Sequence, residues 1–94
     1  MEILKPYRAR IDEIDKKILD LLRARYDVIE EVADLKAREG IPPVLQDRVD
    51  EVRENAAQMG AERGLDEEFI RQLYAQIIKH SCDLEETVKR AKAS

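Results

Sequence analysis

Cysteine is all but missing from this 94-residue sequence: Cys82 stands alone, so no disulfide can close within the chain. A single histidine, His80, adds too little to that lone thiol to make a metal site. Aromatic residues amount to only 4% of the chain. There is no glycine-rich phosphate loop and no nucleophile placed beside a base, so an enzyme built on this chain works by positioning and charge. No apolar run has the length of a membrane span, and the opening residues Met1-Glu2-Ile3-Leu4-Lys5 lack a signal-peptide core; the expected location is cytoplasmic, with no membrane partner. Nor is there a surplus of positive charge. The formal net charge is −4 with acids and bases interspersed, so no basic face is available to phosphate backbones and nucleic acid is not an expected partner.

What remains is the composition of an all-α protein: 40% of residues are charged, and no β-rich stretch competes with helical periodicity. The length allows one domain, residues 1–94. Pro6 suits the first turn of a helix, and the pattern from Tyr7 to Glu39 runs without a break to Gly40, Pro42 and Pro43. A helix of about 33 residues is roughly 50 Å long, whereas a globule of this chain length is only about 30 to 35 Å across. Such a helix cannot hide its apolar stripe in one subunit, and pairing with a second copy is the expected solution.

A second helix is expected from about Leu45, with Val49, Val52, Ala56 and Met59 on one face, ending before Gly64. Asp66 caps the third, with Leu65 and Ile70 spaced as a hydrophobic staple and Glu67 and Glu68 at the positive end of the dipole. The third helix is expected to bury Phe69, Leu73, Ile77, Leu84 and Val88, with Tyr74 and Ile78 on its flank.

Polar intrusions into these apolar faces mark the candidate site. The first stripe reads Ile11, Ile14, Ile18, Leu21, then Arg25 where a leucine or isoleucine belongs, then Val28, Val32 and Leu35. A guanidinium there needs a counter-charge, from a carboxylate of the protein or from an anionic ligand. Lys36 returns to nearly the same face roughly 16 Å further on, close enough for two long cationic side chains to lean toward one anion; the alternative is that it complements the helix dipole. Ser81 interrupts the third helix, and Glu85 follows one turn later. Both could face a pocket, or Ser81 could bond back to its own helix while Glu85 stays solvated. His80 reads as a surface or rim residue, Cys82 as a small core residue, and Tyr7, Tyr26 and Tyr74 as packing residues.

The series Arg8-x-x-Ile11-Asp12-x-x-Asp15-x-x-Ile18-x-x-Leu21-Leu22-x-x-Arg25, then Lys36, Arg48, Gly64-Leu65-Asp66 and Ile77-Ile78-x-x-Ser81 resembles the all-helical chorismate mutases of the AroQ type, from about Arg8 to Glu86. The resemblance implies three-helix subunits forming an intertwined homodimer with two identical sites. The same fold serves isochorismate pyruvate lyases and 4-amino-4-deoxychorismate mutases. It implies a small dicarboxylate substrate surrounded by Arg25, Lys36 and Arg48 of one subunit and Arg8 of the other, since about 25 Å of helix separates Arg8 from Arg25. The implied reaction is the Claisen rearrangement of chorismate to prephenate, without cofactor or metal, in the shikimate route to phenylalanine and tyrosine.

In that picture catalysis falls to Arg25, Lys36 and Glu85. Lys36 donates to the breaking ether oxygen, and Glu85 stands where most members carry a glutamine as second donor. An ionised carboxylate cannot donate, so Glu85 has to be protonated in this role. Ser81 would contact a substrate carboxylate. The loop entering the second helix departs from the family pattern: it is one residue shorter, and Val49 replaces the glutamate that binds the ring hydroxyl. Asp47 or Gln46 is then expected to reach that hydroxyl, and isochorismate or the amino analogue become alternative substrates. A non-catalytic helical dimer, with Arg25 merely ion-paired across an interface, is the competing reading outside enzymology.

Overall fold

The computed structural model describes residues 1–93, which form three α-helices after a short 3-10 turn at Glu2–Leu4. Helix α1 spans Lys5–Glu39, α2 Gln46–Glu62 and α3 Glu67–Ala93. Pro6 sits in the first turn of α1, where its missing N–H is no loss. The helix ends because Gly40 adopts a left-handed φ of 71°, which a side chain would strain. The N–H groups of Gly40 and Ile41 both turn back onto the Lys36 carbonyl, the latter at 2.8 Å. At the start of α3, Asp66 caps as expected: its Oδ1 accepts the Phe69 N–H at 2.7 Å.

Helix α3 is the centre of the molecule. Both α1 and α2 pack against it, and they do not pack against each other. Arg25 meets Ser81, Lys36 meets Glu85 and Asp34 meets Lys92, so α1 and α3 run in the same direction. The result is elongated, 56 × 25 × 15 Å.

One chain buries little of its apolar surface. The buried apolar residues are Ala33, Ala56, Ala57, Ile70 and Ile78. The side of α1 turned toward α3 carries half-buried Leu22, Tyr26 and Ile29. The stripe Ile14, Leu21, Val28 and Leu35 lies roughly a third of a turn away from that side and stays exposed, Leu21 at 72%. The expectation for α3 needs a similar correction. Phe69 and Leu73 are exposed, at 60% and 39%, while Ile70, Ile78, Ser81 and Glu85 form the buried line. The periodicity identified two apolar faces as one, and only the face against α1 and α2 is covered within the chain.

The α2–α3 seam closes where Gly60 meets Ile70. A Cβ at Gly60 would lie 2.8 Å from Ile70 Cγ1, so only glycine allows this approach. Nearby, the Arg71 guanidinium holds Glu54 of α2 at 3.0 Å as well as Glu67 and Glu68 of its own helix. Hydrogen bonds from Arg71 and Arg53 keep the Glu54 carboxyl below its ordinary value of 4.5. Gly60→Ala is expected to destabilise the fold by about 1–3 kcal/mol through overpacking, read from urea denaturation. A carboxyl depressed by folding stabilises above its unfolded value and ceases to as it is protonated. The Glu54 contribution is therefore expected to be complete above pH 4.5 and to fade below it, and Glu54→Gln should remove that component from the acid limb of a melting-temperature profile.

Candidate functional site

Between α1 and α2, with α3 as its floor, lies a cavity of about 380 Å³. Its existence follows from the topology: two helices that pack on a common third but not on each other leave a gap between them. Arg25, Val28, Ile29, Val32 and Lys36 of α1 line one side. Arg48, Val49 and Val52 of α2, with Pro43 and Leu45 of the preceding loop, line the other. Ile78, Ser81, Cys82 and Glu85 of α3 close the bottom. The walls are mainly apolar, and charge enters at a few points.

Arg25 is half-buried and donates from its Nη1 to Ser81 Oγ at 2.9 Å. The Ser81 hydroxyl in turn donates to the Ile77 carbonyl at 2.9 Å, so it does bond back to its own helix while also facing the cavity. Among the described residues, no carboxylate lies within 4.0 Å of the Arg25 guanidinium; the internal ion pair that could have explained this residue is not made. Lys36 extends its ammonium toward α3, where Nζ stands 2.7 Å from Glu85 Oε1, with side-chain exposures of 18% and 5%. That contact is a close ion pair out of line for a hydrogen bond, and Glu85 Oε1 has no hydrogen-bond donor among the described residues. The ammonium's hydrogen bond goes instead to the Pro43 carbonyl at 3.0 Å. Glu85 is therefore no solvated surface acid.

The remaining candidates are less central. Arg48 lines the rim, mostly exposed, and pairs with Glu51 on its own helix. Arg8 is exposed in the first turns of α1 and does not reach the cavity of its own chain. Asp47 and Gln46 do not line the cavity of their own chain. On α2 the cavity face is defined by Arg48, Val49 and Val52, and at about 100° per residue Asp47 points away from it. Gln46 is engaged with Asp50 at 2.9 Å. Cys82 lines the floor half-buried, and burial first, then the Glu85 charge, push its thiol up against the opposing pull of Lys36; it remains a neutral packing group.

Two features escaped sequence reasoning. The Pro43 carbonyl is a main-chain acceptor, which no residue type announces. Tyr26 and His80 form an edge-to-face pair on the outer side of the α1–α3 contact, with His80 Nδ1 2.8 Å from the Tyr26 hydroxyl. Tyr26 reads from the sequence as a packing residue and His80 as a surface or rim residue, with nothing to link them, although they adjoin Arg25 and Ser81, whose contact brings them together.

Residues 7–86 match the family described as chorismate mutase type II. The chain belongs to that family. Among curated proteins it is 39% identical over 85 residues to a 4-amino-4-deoxychorismate mutase of Streptomyces venezuelae, covering 90% of this chain and 82% of the other. It is 36% identical over 83 residues to a 4-amino-4-deoxychorismate mutase of Streptomyces pristinaespiralis, covering 88% and 64%. A chorismate mutase of Methanocaldococcus jannaschii is 31% identical over 81 residues, covering 86% and 82%. The resemblance drawn from residue spacing and the family relation thus agree, and a chorismate mutase relation makes the chain an isomerase.

Proposed function

We propose that this protein rearranges chorismate to prephenate in the cytoplasm as an intertwined homodimer, holding a dianionic substrate in the cavity between α1 and α2. The observation that carries the reading is Arg25: a half-buried guanidinium on a cavity wall with no carboxylate among the described residues to neutralise it. An unanswered buried charge is costly, and a substrate carboxylate removes the cost. The cavity volume of about 380 Å³ suits a small organic acid.

Arg25 and Arg48, with Arg8 of the partner subunit, grip the two carboxylates and hold the enolpyruvyl chain over the ring. Ser81 adds a contact to one carboxylate. Lys36 donates to the ether oxygen as negative charge builds there, and protonated Glu85 is the second donor. No covalent intermediate and no cofactor is needed. The uncovered α1 stripe supports the dimer. Ile11, Ile14, Ile18, Leu21 and Val28 are each more than half exposed, and covering one such side chain stabilises by about 1.5–3 kcal/mol.

A second substrate, 4-amino-4-deoxychorismate, is favoured by one feature: Leu45 and Val49 present an apolar wall beside Arg48, without the carboxylate that would bind a ring hydroxyl. The two Streptomyces relatives are named for that substrate.

Product analysis after incubation with chorismate, isochorismate and aminodeoxychorismate distinguishes the readings: prephenate, pyruvate with salicylate, or aminodeoxyprephenate, with silence on all three leaving only a binding module. Arg25→Ala and Arg8→Ala are each expected to lose about a hundredfold or more in turnover while keeping helicity. Co-refolded as a mixture, they should regain about one quarter of wild-type activity, since half the dimers are mixed and each mixed dimer has one intact site. No recovery would exclude a site shared between subunits. Glu85→Gln keeps a donor at that position and is expected to retain turnover where Glu85→Ala loses it; equal losses in both variants remove Glu85 from the donor role.

A further inference from the structure

A lysine ammonium on a four-carbon stem is a mobile charge, and catalysis by charge requires that it be aimed. The question is what aims Lys36. Glu85 is close, at 2.7 Å, but the contact is out of line for a hydrogen bond, and Coulomb attraction alone fixes a distance better than a direction. Among the described residues, the Pro43 carbonyl accepts the one properly directed hydrogen bond that the ammonium makes, at 3.0 Å. That carbonyl is itself held firmly. Pro43 is buried, follows Pro42, and lies three residues after Gly40 has ended α1. Ile41 N–H returns to the Lys36 carbonyl at 2.8 Å, so the loop is fastened to Lys36 at the main chain and again at the end of its side chain. Two proline rings remove φ freedom from the segment between these two fastenings.

We propose that the Pro43 main-chain carbonyl is the positioning group for Lys36: it takes one ammonium hydrogen and so fixes the direction of Nζ, Glu85 stands against a second side, and a further hydrogen is left for the reacting oxygen of the substrate. Pro43 touches no reacting atom and acts through Lys36. The inference rests on the proposed rearrangement and adds to it the device that orients its donor.

The test replaces the Pro43–Val44 amide by an ester, with the hydroxy analogue of valine at position 44 in the full-length protein made by ligation. An ester carbonyl is a weaker acceptor. The Val44 N–H that is lost makes no hydrogen bond among the described residues, so the change falls on the carbonyl alone. Folding is checked by circular dichroism. We expect kcat on the preferred substrate to fall about three- to tenfold with KM within twofold, because the lost contact acts when charge develops on the ether oxygen. Nitrogen-15 spectra of the Lys36 ammonium should shift and broaden. In a Lys36→Met background the ester should leave the melting temperature unchanged, whereas in the wild type it lowers it. An unaltered kcat in a folded ester protein would overturn the proposal, as would a rise in KM at constant kcat or an ester effect on melting that survives Lys36→Met. Should no substrate turn over while the ammonium spectrum still responds to the ester, the fault lies with the proposed reaction and not with the Lys36–Pro43 contact.

Discussion

The electrostatic demand of Arg25 organises this molecule. Its guanidinium is partly withdrawn from water, bonded to a neutral serine, and out of reach of any described carboxylate. A partly desolvated charge of this kind is costly while it lacks a counter-charge, and it faces the cavity between α1 and α2. Lys36 adds a second cation beside Glu85, and the rim residue Arg48 is paired with Glu51, so Arg25 is the lining cation without a carboxylate partner among the described residues. The helical scaffold serves this arrangement by holding α1 and α2 apart on α3 instead of letting them close on each other.

Much of this was legible in residue spacing, and the reasons are physical. Helix ends were readable because their signals are local: Pro6, Gly40 and Asp66 act on the turn in which they sit. Arg25, Lys36, Ser81 and Glu85 were readable because a polar group at an apolar helical position stands out against a period of 3.6. The structure brings all four to one cavity. Asp47 lies outside the cavity lining although it adjoins Arg48 in sequence, because one step along a helix turns the side chain through about 100°. Phe69 and Leu73 misled for a different reason. Apolar periodicity reports that a face avoids water, and it is silent on whether the cover comes from the same chain or another.

The interior is unusually small for a folded chain, dominated by alanine, glycine and two isoleucines. The close approach at Gly60 and the Glu54–Arg71 clamp both fasten α2 to α3, away from the cavity. The contacts of α1 with α3 include those of Arg25, Tyr26 and Lys36, two of which line the cavity. The cavity lining and the attachment of α1 share the side chains of Arg25 and Lys36.

The Lys36–Pro43 hydrogen bond has a consequence for how this loop can diverge. A main-chain acceptor is supplied by every amino acid, so point substitution at position 43 cannot delete it, and an alignment column there carries no trace of its importance. Insertions and deletions are another matter. Adding or removing one residue between Gly40 and Leu45 would carry the acceptor away from the ammonium while every recognised side chain stayed in place, so loop length is the variable to compare when homologues with identical site residues differ in rate.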